Sequence, residues 1–101
     1  MALGRASRAR VGAIEGAAVR DADGRTYAGA TVELRAMPLS ALQVAVALAV
    51  SAGAAELAAA AVVTEASTVD SAGYAAFREL GPGAPVHLAA PDGTLLDTVT
   101  R

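Results

Sequence analysis

Cysteine, lysine and asparagine are absent from this chain of 101 residues, and histidine occurs only once, as His87. Without cysteine, no disulfide can stabilise the fold and no thiolate can bind a metal. A zinc site needs three or four ligands, so a single histidine contributes little toward one. His87 lies between Val86 and Leu88, and we expect it to be a surface histidine rather than a catalytic base. We therefore predict no metal, no cofactor and no catalytic residue, and a protein that is not an enzyme.

Aromatic residues and net charge are also scarce. Aromatics make up 3% of the chain, and the formal net charge is −2 with a pI near 5.2. A basic face large enough to bind nucleic acid is therefore not expected. The arginines of residues 1–10, Arg5, Arg8 and Arg10, form a basic arm that is either a frayed end or a contact with an acidic neighbouring subunit. No apolar run follows them, so no secretion signal is predicted.

Short apolar runs separated by turn residues dominate the rest of the chain. Asp23-Gly24 and Asp92-Gly93 are tight-turn signals, and the stretch from Asp70 to Gly73 is interpreted as a third turn. Turns spaced about eight to twelve residues apart indicate an all-β sandwich. The predicted strands include Thr31–Ala36, Val62–Val69, Tyr74–Phe77, Val86–Ala89 and Thr94–Thr100.

Residues 41–63 are apolar and carry no basic side chain. In residues 41–51 leucine or valine occupies every second position, which predicts a strand with a face of small residues. Residues 54–61 are mostly alanine, so a returning strand and a short helix both remain open. A membrane-spanning helix is disfavoured, because Glu56 lies inside the segment and no aromatic residues flank it.

Four segments, in this order, resemble the carboxypeptidase-regulatory-like, or prealbumin-like, β-sandwich family: Asp21–Arg25, Ala28–Leu34, Thr68–Phe77 and Leu80–Gly83. They are similar to that family's "D-x-x-G", "G-A-x-V-x-L", "T-D-x-x-G-x-x-x-F" and "L-x-P-G-x-Y" segments. The chain departs from the pattern where Ala84-Pro85 replaces the last tyrosine. It also departs through its long insertion.

The resemblance implies an Ig-like or prealbumin-like antiparallel sandwich over residues 11–101, with an apolar, alanine-rich insertion at residues 37–63. Modules of this kind occur in bacteriophage tail, fibre and capsid-surface proteins. The resemblance therefore implies a non-enzymatic virion structural protein, a capsid-decoration or tail-associated component. Its partners would be other virion subunits or further copies of itself, with no nucleic acid and no membrane. The alternatives are a cell-surface or carbohydrate-binding accessory module, located extracellularly, and a small membrane-anchored protein.

Candidate interface residues follow from this hypothesis. Short side chains on one strand face allow a close approach of either the chain's own core or another subunit. Tyr74 and Phe77, three residues apart on a strand, should lie on opposite faces, with Phe77 in the core and Tyr74 outside. The candidates are Arg5, Arg8, Arg10, Ala45, Ala47, Ala49 and Tyr74.

Overall fold

Two helices occupy segments that the sequence pattern assigned to strands. The computed structural model describes residues 15–100, so the predicted basic arm with Arg5, Arg8 and Arg10 lies outside the described residues. The prediction of an all-β, Ig-like or prealbumin-like sandwich is wrong, since the fold is mixed α/β. In chain order the elements are β1 (Gly16–Asp21), β2 (Thr26–Ala30), β3 (Val32–Glu33), β4 (Pro38–Leu39), α1 (Ala41–Ser51), β5 (Leu57–Val63), α2 (Ser71–Leu80), β6 (Val86–Ala89) and β7 (Leu95–Val99).

A five-stranded sheet in the order β2-β1-β5-β6-β7 forms the frame of the molecule. Strand β1 is antiparallel to both β2 and β5, β5 is parallel to β6, and β6 is antiparallel to β7. A parallel pair needs a crossover connection, and α2 provides it between β5 and β6. Strands β3 and β4 form a separate two-stranded ribbon. This topology places the carboxyl ends of β2, β5 and β6 at one edge of the sheet.

Helix α1 begins at a capping box that stops the chain from continuing as a strand. The Gln43 backbone N–H donates to the Ser40 hydroxyl at 3.1 Å, and the Ser40 N–H donates to Oε1 of Gln43 at 2.9 Å. Together these bonds satisfy two backbone donors that a helix start otherwise leaves open. The helix ends at Ser51 with Ala52 as its C-cap, and Gly53 follows with a φ of +99°.

The strand predicted for residues 41–51 is wrong because alanine hides the helical period. The residues that α1 buries are Ala41, Leu42, Ala45, Val46 and Ala49, which follow the three- and four-residue spacing of one helix face. Leu48 and Val50, which continued the strand-like alternation, are about half exposed. The returning strand proposed for residues 54–61 is confirmed in part, since β5 begins at Leu57.

Helix α2 replaces the predicted turn and strand around Tyr74 and Phe77. Asp70 is its N-cap, and the Gly73 backbone N–H donates to Oδ2 of Asp70 at 2.6 Å. Three residues apart on a helix, Tyr74 and Phe77 lie on neighbouring parts of one face, not on the opposite faces expected. Phe77 is fully buried, as predicted, whereas Tyr74 is half-buried against the same core.

The core lies between one face of the sheet and the two helices. Apolar residues of β1, β5 and β6 line that face at paired positions, and α1 and α2 cover them with Leu42 and Phe77. Strands β6 and β7 agree with the predicted strands at residues 86–89 and 94–100. Among residues 15–100, no helix combines the length and the apolar character that a membrane crossing requires.

The turn between β1 and β2 is organised by a buried carboxylate, Asp21. Its Oδ1 accepts from the backbone N–H groups of Asp23 and Arg25, and its Oδ2 accepts from the Tyr27 hydroxyl at 3.1 Å. Burial acts to raise the pKa of Asp21. The three hydrogen bonds and the Arg25 charge outweigh it, so the pKa lies below its ordinary value of 3.8. Gly24, with a φ of +87°, completes the predicted tight turn.

The lowered pKa of Asp21 makes a pH-dependent contribution to stability. A carboxyl with a depressed folded-state pKa stabilises the fold above its unfolded pKa of about 3.9, and this contribution is lost as the pH falls through the folded value. We expect Asp21→Asn to lower the melting temperature at pH 7, and the difference from the parent protein to shrink between about pH 5 and pH 2. Circular dichroism melts across that range measure it. Asp23→Asn, at an exposed position in the same turn, is the control, and a difference that stays constant to pH 2 would contradict the assignment.

Candidate functional site

An open cleft of about 610 Å³ lies at the edge of the sheet where β2 and β5 end. It is bordered by the β3–β4 ribbon and by the residues that lead into α1. Crevices outside the carboxyl ends of sheet strands are common ligand sites in α/β folds, and the volume falls in the range of small-molecule pockets. The polar side chains that line it are Glu15, Thr31, Glu33, Arg35 and Ser40.

Glu15 is held in this cleft from two sides. Its Oε2 accepts a hydrogen bond of 2.7 Å from the hydroxyl of Thr64, which lies just beyond β5 and is buried. Its backbone N–H donates to Oγ1 of Thr31, and the Thr31 N–H donates to the Glu15 carbonyl. The Thr64 hydroxyl in turn accepts from the Ala66 N–H at 3.0 Å. A carboxylate fixed in this way can present its remaining acceptor capacity to a ligand.

The charge balance of the cleft is slightly negative. Glu33 and Arg35 are both exposed on the ribbon, and with Glu15 they give two carboxylates against one guanidinium. The remaining wall is apolar and consists of Val32, Leu34, Pro38 and Leu39. The cleft therefore combines hydrogen-bond acceptors with a surface on which a flat ring can pack.

The starts of the two helices meet beside this cleft. Leu42, in the first turn of α1, is fully buried, and a Cβ built on Gly73 of α2 would lie 2.9 Å from the Leu42 Cβ. The same position would lie 2.7 Å and 2.9 Å from the two carboxylate oxygens of Asp70. Oδ1 of Asp70 is buried and has no hydrogen-bond partner within residues 15–100. The two helices can approach this closely because residue 73 is glycine and has no Cβ.

The residues singled out from the sequence do not assemble into one surface. Ala45 and Ala49 are buried in α1, whereas Ala47 is exposed, because a helix turns these positions in different directions. Tyr74 is half-buried, with the Arg78 guanidinium 5.8 Å from the centre of its ring. Their role as interface residues stays a prediction.

His87 lies on the sheet face opposite Val86 and Leu88, as expected. Its Nδ1 is 3.0 Å from Oγ1 of Thr98 on the neighbouring strand. The histidine is half-buried and remote in the chain from the residues that line the cleft. Nothing in its surroundings within the described residues gathers further metal-ligating side chains around it.

Sequence reasoning missed the cleft altogether. Glu33 and Arg35 lie within the predicted strand Thr31–Ala36 and were given no part in a site, and Glu15 and Ser40 received no role. One signal was present in the sequence: Ser40 followed three residues later by Gln43 just before an apolar run, which is a capping-box pattern. A helix starting there would have placed Ser40 at the sheet edge, next to the ribbon.

The cytidine deaminase-like family model matches residues 1–93, so the chain belongs to this family. The crystal structure of cytidine deaminase from Burkholderia pseudomallei is similar, with 29% identity and a TM-score of 0.81, over 98% of this chain and 90% of that one. Cytidine deaminase from Mycobacterium tuberculosis shares 25% identity with a TM-score of 0.68, over 93% and 86% of the two chains. Cytidine deaminase from Mycobacterium leprae has the same fold. It shares 18% identity with a TM-score of 0.68, over 92% of this chain and 87% of that one. No match was found among curated protein sequences.

These comparisons correct the functional predictions made from the sequence. The resemblance to a prealbumin-like phage module is wrong, because family and fold are those of cytidine deaminases. The prediction of a non-enzymatic virion structural protein is wrong for the same reason, since the relatives are deaminase enzymes.

The zinc ion of zinc deaminases does not fit the donor set of this chain. Those enzymes bind zinc through one histidine and two cysteines, or through three cysteines. The chain has no cysteine and one histidine, and residues 15–100 contain no group of three or more histidine, cysteine, aspartate or glutamate side chains that could hold a metal. The residues that this part of the chain offers therefore do not make up the zinc site of those enzymes.

The Thr64–Glu15 hydrogen bond can be tested by removing the hydroxyl while keeping the side-chain volume. We expect Thr64→Val to lower the free energy of unfolding by about 1–3 kcal/mol, because it leaves the Ala66 N–H and the Glu15 carboxylate without their partner. Urea denaturation measures the change. Thr68→Val, the same substitution at an exposed position, is the control and should change stability by less than about 0.5 kcal/mol. Equal effects at the two positions would contradict the structural role of Thr64.

Proposed function

We propose that this chain binds a pyrimidine nucleoside of the cytidine type in the cleft between the β3–β4 ribbon and the start of α1. The observation that carries the proposal is the cleft itself, which is of small-molecule size and lies at the carboxyl edge of the sheet in a fold shared with cytidine deaminases. The similarity to the Burkholderia pseudomallei enzyme supports it, since it spans nearly the whole of both chains.

The polar groups of the cleft suit a nucleoside. Carboxylates accept hydrogen bonds from ribose hydroxyl groups and from an exocyclic amino group, and Glu15 and Glu33 supply two of them. The Thr31 hydroxyl lies within the same wall. Apolar side chains such as Val32 and Leu39 offer a surface for the pyrimidine ring. Small-molecule pockets usually have an apolar lining with a few precisely placed polar groups.

The charge of the cleft favours a nucleoside over its phosphate ester. Two carboxylates and one guanidinium leave an excess negative charge, which repels a phosphate group. No lysine is present anywhere in the sequence to offset it. We therefore expect cytidine to bind at least about tenfold more tightly than cytidine 5′-monophosphate at low ionic strength, where such repulsion is least screened.

The test is a titration of the purified protein with cytidine and with cytidine 5′-monophosphate, followed by calorimetry or by NMR chemical shifts. Glu33→Gln should weaken cytidine binding about tenfold or more, because hydrogen bonds to charged groups contribute about 1.5–3 kcal/mol. Glu79→Gln, an exposed charge on α2 outside the cleft, is the matched control and should leave binding unchanged.

Different results of these titrations would overturn the proposed binding and the charge argument. No saturable binding of cytidine, or equal losses in the Glu33→Gln and Glu79→Gln variants, would overturn the proposal. Tighter binding of the monophosphate would overturn the charge argument. Chromatography of the same samples, looking for uridine, reports whether the bound nucleoside is also a substrate.

A further inference from the structure

The spacing of residues at the two helix starts matches the zinc deaminase signature in position but not in chemistry. That signature comprises a histidine or cysteine followed two residues later by glutamate, and a separate Cys-x-x-Cys pair. In this chain, Leu42 at the start of α1 meets Gly73 at the start of α2, and Gly73 lies three residues after Asp70. Leu42 of α1 therefore lies against the start of α2, where Asp70 and Gly73 have the three-residue spacing of the Cys-x-x-Cys pair.

We infer that Leu42, Asp70 and Gly73 occupy the place of a zinc centre and that a direct contact between the helices replaces the metal there. This inference rests on the family and on the geometry of the helix starts, and it is independent of the proposed binding of nucleoside. We call these three residues the helix joint.

The helix joint supplies one metal donor where a catalytic zinc site needs three from the protein. Leu42 is aliphatic and Gly73 has no side chain. Asp70 has a carboxylate, but its Oδ2 is engaged as the cap of α2, accepting from the Gly73 N–H at 2.6 Å. The other oxygen, Oδ1, is buried without a hydrogen-bond partner in the described part of the chain, and one oxygen does not hold zinc.

Val44, two residues after Leu42, lies on a different side of α1. A Cβ built on Gly29 of β2 would lie 2.7 Å from Cγ1 of Val44, so Val44 packs directly against the backbone of β2. Residues two apart on a helix do not face the same way, so Leu42 and not Val44 faces the start of α2.

The distance between the helices also argues against a metal. Zinc–sulfur bonds of about 2.3 Å in tetrahedral geometry place two thiolate sulfurs about 3.8 Å apart, and their Cβ atoms must leave room for the ion between them. The Cβ of Leu42 and a Cβ built on Gly73 would be only 2.9 Å apart. In this chain, the two helix starts are closer together than two ligating side chains allow.

The first test measures the metal content of the unaltered protein. After expression in zinc-supplemented medium and gel filtration, mass spectrometry of the metal should find less than about 0.1 zinc per chain, and the chelators EDTA and phenanthroline should leave the melting temperature unchanged. About one zinc per chain, or a melting temperature that falls on chelation, would overturn the inference. Both readouts are independent of nucleoside binding, so a failure here differs from a failure of the proposed function.

The second test probes the close contact itself. Gly73→Ala should lower the melting temperature by about 5 °C or more, because the added methyl group overlaps the Leu42 Cβ and displaces the capping carboxylate. Alanine otherwise favours a helix over glycine, so a rise in melting temperature would contradict the contact. Ala72→Gly is the control. It exchanges alanine for glycine at the exposed neighbouring position of α2, so it measures the effect of helix propensity without the contact to Leu42.

Discussion

The contact between Leu42 and Gly73 fixes the arrangement on which the rest of the structure depends. The α2 crossover between parallel strands β5 and β6 brings Gly73 to the carboxyl edge of the sheet, and the Ser40 capping box brings Leu42 to the same edge. Because Gly73 lacks a Cβ, the two helix starts can touch. Ser40, the N-cap of α1, also lines the cleft beside the β3–β4 ribbon.

The sequence allowed several local features to be predicted because each depends on one residue type. The Asp23-Gly24 turn needs a positive φ at glycine, which is observed. Strands β6 and β7 follow from short apolar runs between turn residues, and Phe77, as the chain's sole phenylalanine, was correctly placed in the core. The helices were not predictable from periodicity alone. In α1, alanine fills both the strand-like and the helix-like faces, so both periods fit the same eleven residues.

The mistaken resemblance has a physical origin at Asp70. An aspartate followed by a glycine and then an aromatic residue fits a turn that leads into a strand. It fits equally well a capped helix start, because the aspartate side chain accepts from backbone N–H groups in both structures. What distinguishes them here is tertiary: as a helix, the segment packs Phe77 under the sheet and provides the crossover that lets β5 and β6 run parallel. The cleft residues were missed for the same reason, since Glu15, Glu33 and Ser40 meet only after that topology is set.

Replacing a metal centre by a packing contact changes what holds the two helices together. A bound metal ion stabilises the folded chain that holds it, because the site does not exist in the unfolded chain. A well-packed leucine contributes only about 1.5–3 kcal/mol. The helix starts must then be stabilised locally, and both carry caps: Ser40 with Gln43 on α1, and Asp70 on α2. Within residues 15–100, the carboxylate that caps α2 leaves one buried oxygen, Oδ1 of Asp70, without a hydrogen-bond partner, a cost that a metal-bound side chain would not incur.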